Sequence, residues 1–419
     1  MTTPAAEAPP APAMPAPTLP VPQWSRPLAL LIAGFALFEM FYLARYFIRQ
    51  PVDNSLFGDF FAFWAYAHFI QALPAVEIYD LETLQAFELA MPGGFDAFYP
   101  CVYPPILLLL VWPLGALGYL PAYGVWMSVT FAAYLAAVAW GDWRSPRLWL
   151  ALSAPSSVLE IISGENGFLT AALMIGGFRL MGRWPFLGGV LVGGLAFKPQ
   201  FLVLVPVVLL AGRRWRSLAG LTASVLGLVT ASAAAFGPSI WLRWLQTAPR
   251  VSPLFAENLP RYGHLEPSVF ASSIAAHLDY RLASVLQLLS IVAVVACLAL
   301  VFRRGAGLQA APRPLDVAAL QVGVFLATPY AFIYDLPMVT SAVATTIERC
   351  TEAARPWRQG EATVLVFGLL LPLAMFSGTL EGWPVGPIEF LLLLAVIVRA
   401  GWSLPPGETP ALFSRSGRT

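Results

Sequence analysis

Lys198 is the only lysine in the chain, and it sits inside the apolar run Gly193-Gly194-Leu195-Ala196-Phe197-Lys198-Pro199-Gln200-Phe201-Leu202. An ionisable group in such surroundings is costly and points to function by default. Pro199 frees a backbone carbonyl, and membrane helices tolerate such breaks where they line a cavity. A lysine at the break suits an anionic ligand such as a phosphodiester. The alternative is a structural lysine whose head snorkels to the interface. Asp59, after Gly58, is the carboxylate best placed for proton transfer. It follows the first apolar segment at the water–lipid boundary, where a base can deprotonate an incoming hydroxyl. Asp is equally a favoured helix N-cap. Glu165-Asn166 and Tyr334-Asp335 each separate apolar runs and carry the same ambiguity between cap and binding group. Asp80 precedes Leu81-Glu82-Thr83-Leu84, and Pro92-Gly93-Gly94 closes that run, which predicts a short interfacial helix with Asp80 at its N-cap.

These groups stand out because the rest of the chain is so apolar. Hydrophobic residues make up 58% and charged residues 11%, with a mean hydropathy of +0.71. Nearly uncharged stretches within 28–42, 218–236, 282–301 and 364–376 belong to windows long enough to cross a bilayer. The chain therefore reads as an all-α polytopic membrane protein. A net charge of +1 gives no footprint for nucleic acid. Cys101, Cys297 and Cys350 have no spacing that suggests a disulfide framework, and no His/Cys pattern suggests a metal. No Walker loop, dinucleotide fingerprint or nucleophile elbow is present, so an ATP-driven pump is not indicated.

Arginine clusters orient the spans, because cytoplasmic loops carry the Lys/Arg excess. The clusters are Arg213-Arg214-Trp215-Arg216, Arg303-Arg304 with Arg313, and Arg349, Arg355 and Arg358. Placing them inside puts the 237–280 loop and the Tyr334-Asp335 hairpin tip outside, with Glu381-Gly382-Trp383-Pro384 on the same side. The expected layout is an Ala/Pro-rich disordered cytoplasmic tail over 1–25, a transmembrane domain over 26–402, and a cytoplasmic tail over 403–419. Within it, 49–103 forms a large first periplasmic loop and 237–280 a second. About 12 spans are expected, with 186–211 either one helix kinked at Pro199 or two half-helices meeting at Lys198-Pro199-Gln200. Residues 59–71 are a further helix candidate, in which Asp59 and His68 point apart and cannot pair. Trp241, Trp244, Phe255 and Tyr262 suit interface anchoring, or alternatively a sugar platform.

The ordered set of short motifs resembles glycosyltransferase family 87, the integral-membrane mannosyltransferases of the GT-C superfamily. The matching pieces are Gly58-Asp59-Phe60, Ile78-Tyr79-Asp80, Tyr103-Pro104-Pro105-Ile106-Leu107 with Trp112-Pro113-Leu114, and Gly164-Glu165-Asn166. They continue through Ala196-Phe197-Lys198-Pro199-Gln200, Arg213–Arg216, and Thr328-Pro329-Tyr330 with Tyr334-Asp335-Leu336. The resemblance implies a GT-C-like bundle at the bacterial inner membrane. It also implies inverting transfer of a sugar, mannose above all, from a polyprenyl-phosphate-linked donor to a lipid or glycan hydroxyl on the periplasmic side. Asp59 matches the first-loop acid and so would be the general base. The expected substrate-binding set is Asp80, Glu165, Asn166, Lys198, Gln200, Tyr334 and Asp335, with no metal and no cofactor beyond the lipid-linked co-substrate. Glu165 stands where the family more usually has glutamine, and Tyr334-Asp335 where some members place histidines. A lipid-linked-sugar flippase or secondary transporter is the competing reading, for which paired broken helices would speak. Lys198-Pro199 is one such break, and the second half offers no partner for it.

Overall fold

The computed structural model describes residues 58–92, 98–304, 311–377 and 383–404, with isolated positions of the first apolar segment. The expected N-terminal tail, all of the expected C-terminal tail past its first two residues, most of the first span and the Glu381-Gly382 tip lie outside the described residues. Every regular element among them is a helix. The first loop contributes α1 (Phe60–Ala72) and α2 (Leu81–Ala90), joined by a 3-10 turn over Ala75–Tyr79. As the alternation of Asp80 and Thr83 predicts, the Asp80 carboxylate accepts the Thr83 N–H at 3.1 Å and opens α2. α1 is unusually buried for a loop helix, with Phe60, Phe61, Phe63, Tyr66 and Phe69 all in the core. The first loop is thus packed into the bundle and does not lie loosely over it.

The chain then runs through α3 (Ile106–Val111), α4 (Tyr119–Ala139), α5 (Pro146–Ser153) and α6 (Pro155–Ser163). Next come α7 (Gly167–Leu180), α8 (Pro185–Gly193), α9 (Pro199–Leu202), α10 (Leu204–Ala211) and α11 (Trp215–Phe236). Proline opens α5, α6, α8 and α9, where its missing N–H costs nothing. The second half contains α12 (Ser239–Tyr262), α13 (Val269–Ala275), α14 (Tyr280–Arg303), α15 (Pro314–Ala327), α16 (Pro337–Glu352), α17 (Glu361–Phe376) and α18 (Val385–Ser403). Among the described residues α4, α11, α14 and α18 are long and apolar enough to cross a bilayer, and shorter apolar helices pack between them.

Two sequence alternatives are decided here. The 186–211 segment is broken, not merely kinked: α8 runs into a 3-10 turn over Gly194–Phe197, Lys198 leaves the helix at φ −131° and ψ 70°, and α9 restarts at Pro199. The physical cause is the proline, whose ring excludes the residue before it from helical geometry. Residues 239–262, expected as loop, form α12. Its Trp244 indole donates to the Val102 carbonyl at 3.1 Å, and its Thr247 hydroxyl donates to the Tyr79 carbonyl at 3.1 Å. Leu242 and Leu245 on another face are exposed. α12 therefore clamps the first loop from above.

Candidate functional site

The Lys198 break brings a buried cation to the meeting point of three separate stretches of chain. Its Nζ donates to Asp335 Oδ1 at 2.6 Å and to Asn166 Oδ1 at 2.9 Å. Lys198 is 3% exposed and Asp335 fully buried, so this is an ion pair removed from water. The ammonium also lies 5.1 Å from the Phe201 ring centre and 5.3 Å from that of Tyr334, within cation–π range. An ammonium has three N–H donors. Two of these meet protein oxygens, and among the described residues the third meets none.

Asp335 is presented by the turn between α15 and α16, where Pro329 and Pro337 bracket a short 3-10 segment over Ile333–Asp335. Its second oxygen accepts the Phe332 N–H at 3.3 Å, which fixes the carboxylate. Asn166 sits at the N-terminal boundary of α7. Its side-chain amide donates to the Tyr103 hydroxyl at 2.9 Å and to Glu165 Oε2 at 2.9 Å. Its oxygen meanwhile accepts from Lys198 and, at 3.3 Å, from Thr170. Asn166 is therefore the node joining the cationic side of the site to the Glu165 side. The turn that carries it needs glycine twice. Gly164 has φ +71°, and a Cβ on it would lie 2.6 Å from that of Phe60. At Gly167 a Cβ would sit 2.0 Å from the Tyr334 carbonyl oxygen, so the two turns touch backbone to backbone.

Asp59 stands at the start of α1, beside the Gly164 turn. It occupies the N-cap position in helical geometry, and its side chain makes no capping hydrogen bond. The carboxylate is thus not spent on the cap that its position suggested. Burial pushes its proton affinity up, to a pKa of about 6, while part of the residue remains exposed. Its charge adds to the burial that disfavours ionisation of Glu165 and Tyr334.

Asp59, Glu165, Asn166, Lys198, Tyr334 and Asp335 are accordingly brought together. Asp80 and Gln200 are not drawn into this hydrogen-bonded cluster. The Asp80 carboxylate caps α2, accepts the Thr83 hydroxyl at 3.0 Å, and pairs with Arg243 of α12 at 2.9 Å. Its acidity is raised, first by the Thr83 backbone N–H and then by the Thr83 hydroxyl, with a smaller contribution from Arg243. That partnership makes it a clamp between the first loop and α12 and not a ligand of the Lys198 centre. Gln200 is half-buried in the first turn of α9, two residues past Lys198, with no hydrogen bond to the Lys198 centre.

Two residues beside the cluster were given no site role by sequence reasoning, although Tyr103 opens one of the quoted motifs. Tyr103 donates to Glu165 Oε2 at 3.2 Å while accepting from Asn166. Glu160, fully buried on α6, accepts the Phe168 N–H at 3.2 Å through Oε1, and its Oε2 has no partner among the described residues. Its position in the run Val158-Leu159-Glu160-Ile161-Ile162 was the available signal, because an acid inside an apolar helix needs a reason to be there. Among the described residues no three His, Cys, Asp or Glu side chains converge as metal ligands.

A bundle of apolar helices around a buried lysine–aspartate centre, with an aspartate beside it that caps nothing, defines a polytopic membrane protein with a polar interior site. The family comparison makes this specific: the model of glycosyltransferase family 87 matches residues 102–330, more than half of the chain. The chain belongs to that family and is a membrane glycosyltransferase. No curated protein and no solved structure matches it significantly.

Proposed function

We propose that the protein transfers a sugar, mannose above all, from a polyprenyl-phosphate-linked donor to a lipid or glycan hydroxyl, with inversion at the anomeric carbon. The observation that carries this reading is the convergence of Lys198, Asn166 and Asp335 beside Asp59, in a chain of family 87. Asp59 takes the proton of the acceptor hydroxyl as its oxygen bonds to the anomeric carbon. The bond from that carbon to the phosphate oxygen breaks, and the polyprenyl phosphate leaves with one more negative charge. Lys198 faces that charge with its remaining N–H. Fixed donors of this kind stabilise a transition state without reorganising during the reaction. A purified, reconstituted enzyme should turn over a polyprenyl-phosphate sugar and leave a nucleotide sugar untouched. Turnover of the nucleotide sugar alone would overturn the reading.

The site is inferred to face the periplasm, within a GT-C-like bundle of about 12 spans in the bacterial inner membrane. The count includes the first apolar segment and the shorter apolar helices. Support comes from the ends of two helices. Asp335 precedes α16, whose far end carries Arg349, and Asn166 precedes α7, whose far end carries Arg179. The sixteen residues of α16 span about 24 Å, which sets the Asp335 end well apart from the Arg349 end. The arginine ends belong inside. In intact cells a cysteine introduced as Asn258→Cys should react with an impermeant reagent, and Gly360→Cys should not. The reverse pattern would invert the topology.

A further inference from the structure

We propose that the cleft between the α12–α13 turn and the start of α18 is a subsite for a neutral sugar of the acceptor, a unit other than the one that reacts. The acceptor is then a glycan of more than one unit. The inference rests on the sugar transfer proposed above and names its acceptor class more closely.

The cleft is lined by His264 of the turn after α12, Ser272 of α13, Met375 at the end of α17, and Trp383 with Gly386 where α18 begins. Its walls are held close together. A Cβ on Gly386 would lie 2.7 Å from that of Pro267, so α18 starts directly against the segment that carries His264. Ser268 caps α13 by accepting the Ala271 N–H at 3.0 Å, and its hydroxyl donates to the Pro329 carbonyl at 2.7 Å. That bond ties the cleft wall to the stretch leading into Tyr334-Asp335.

The cleft also lies at the same end of the bundle as Asp335. Arg355 pairs with Glu361 at 2.8 Å, which joins the far end of α16 to the start of α17. Both helices have sixteen residues, so running back from that junction brings Asp335 and Met375 to a common end. α17 packs against the Gly263–Leu265 turn and the Ile333–Asp335 turn alike.

What the lining offers suits a sugar. Trp383 is 73% exposed, the most of any described tryptophan. The others that are more than half exposed, Trp143, Trp149, Trp215 and Trp402, all belong to the arginine end. An indole face accepts the apolar C–H face of a pyranose while its rim stays wet. Beside it, His264 Nδ1 is sheltered from solvent with no partner among the described residues. The Ser272 hydroxyl has none among them either. Such groups gain when a partner arrives, and sugar hydroxyls both donate and accept. No Lys, Arg, Asp or Glu lines the cleft, so a phosphate or uronate would meet no counter-charge and the ligand is neutral. The α12 indoles, the platform that the sequence offered, are engaged elsewhere: Trp241 donates to Ser232 at 3.1 Å and Trp244 to Val102.

The test is binding, without donor, of octyl glycosides carrying one, two and three mannose units to the full-length protein in nanodiscs, by titration calorimetry. The three-unit glycoside should bind about tenfold more tightly than the one-unit glycoside, as one stacked ring and one hydrogen bond would provide. Trp383→Ala should erase most of that gain, and Trp383→Phe, which keeps a ring, should retain most of it. Because the side chain is exposed, thermal unfolding of Trp383→Ala should match the parent. Affinity that does not rise with length overturns the proposal. A rise that survives Trp383→Ala does so too, and makes Trp383 an interface anchor. Failure of the underlying reading would look different, because polyprenyl-phosphate sugar would then go unused with every acceptor, whereas glycan binding is read without it.

Discussion

Asp59→Asn should lower sugar transfer by roughly 10²–10⁴-fold, the range associated with losing a general base, while leaving the protein folded and inserted. The separation of effects follows from what Asp59 does not do. Its side chain makes no capping bond, and its position at the start of α1 leaves part of it open. Asparagine has the same shape, so α1 loses no contact. The linkage also has a definite sign. Because burial raises the folded-state pKa to about 6 from an ordinary 3.8, the native state holds this proton more tightly than the unfolded chain. The resulting cost develops as pH rises from about 4 to about 6 and persists above. At neutral pH the asparagine variant is free of that cost and should be no less stable than the parent. For the parent, activity should fall away below about pH 6 as Asp59 gains its proton. The measurement is turnover of labelled polyprenyl-phosphate sugar alongside thermal unfolding. Near-normal turnover would remove Asp59 as the base, and the role would pass to another carboxylate.

The features that chain-local physics controls were legible in the sequence. Pro199 forces Lys198 out of the helix whatever the rest of the fold does, and Asp80 with Thr83 writes a cap in four residues. The helix over 59–71 was visible in outline, and so was the inability of Asp59 to meet His68. That histidine bonds back to the Trp64 carbonyl of its own helix at 3.0 Å. The pairings across the bundle were not legible. Lys198 and Asp335 are 137 residues apart, and Tyr103 and Glu165 are 62 apart. A single sequence records no such contacts, so phosphate, Glu165 and Asp335 were equally open as partners for the lysine. α12 was missed for another reason. Pro249, Pro253 and Pro260 with Arg243, Arg250 and Arg261 give the segment the composition of a loop. It is nonetheless held as a helix, against the first loop through Trp244 and Thr247 and against α11 through the Trp241–Ser232 bond. Tertiary contacts overrode local preference there, as they commonly do for weak propensities.

Lys198→Met should destabilise the protein by about 3–5 kcal/mol, because it strands Asp335 as an unpaired buried carboxylate. That loss alone would say nothing about the donor. A buried pair is expensive to break from one side, yet replacing both partners is often neutral or stabilising. The double variant Lys198→Met with Asp335→Leu should therefore regain most of the lost stability, since neither charge is left uncompensated. Asn166 would still lose a donor to its oxygen, worth about 1 kcal/mol, though Thr170 remains as a partner. The informative quantity is donor affinity in this restored protein. Two N–H groups of Lys198 are taken by Asp335 and Asn166, and the proposed mechanism assigns the third to the phosphodiester. If that contact holds the donor, the double variant should be folded but should bind polyprenyl-phosphate sugar at least tenfold more weakly, roughly the 1.5–3 kcal/mol of a hydrogen bond to a charged group. A restored fold with parental donor affinity would make the Lys198–Asp335 pair purely structural. The leaving phosphate would then have to be met elsewhere, by backbone N–H groups or hydroxyl donors.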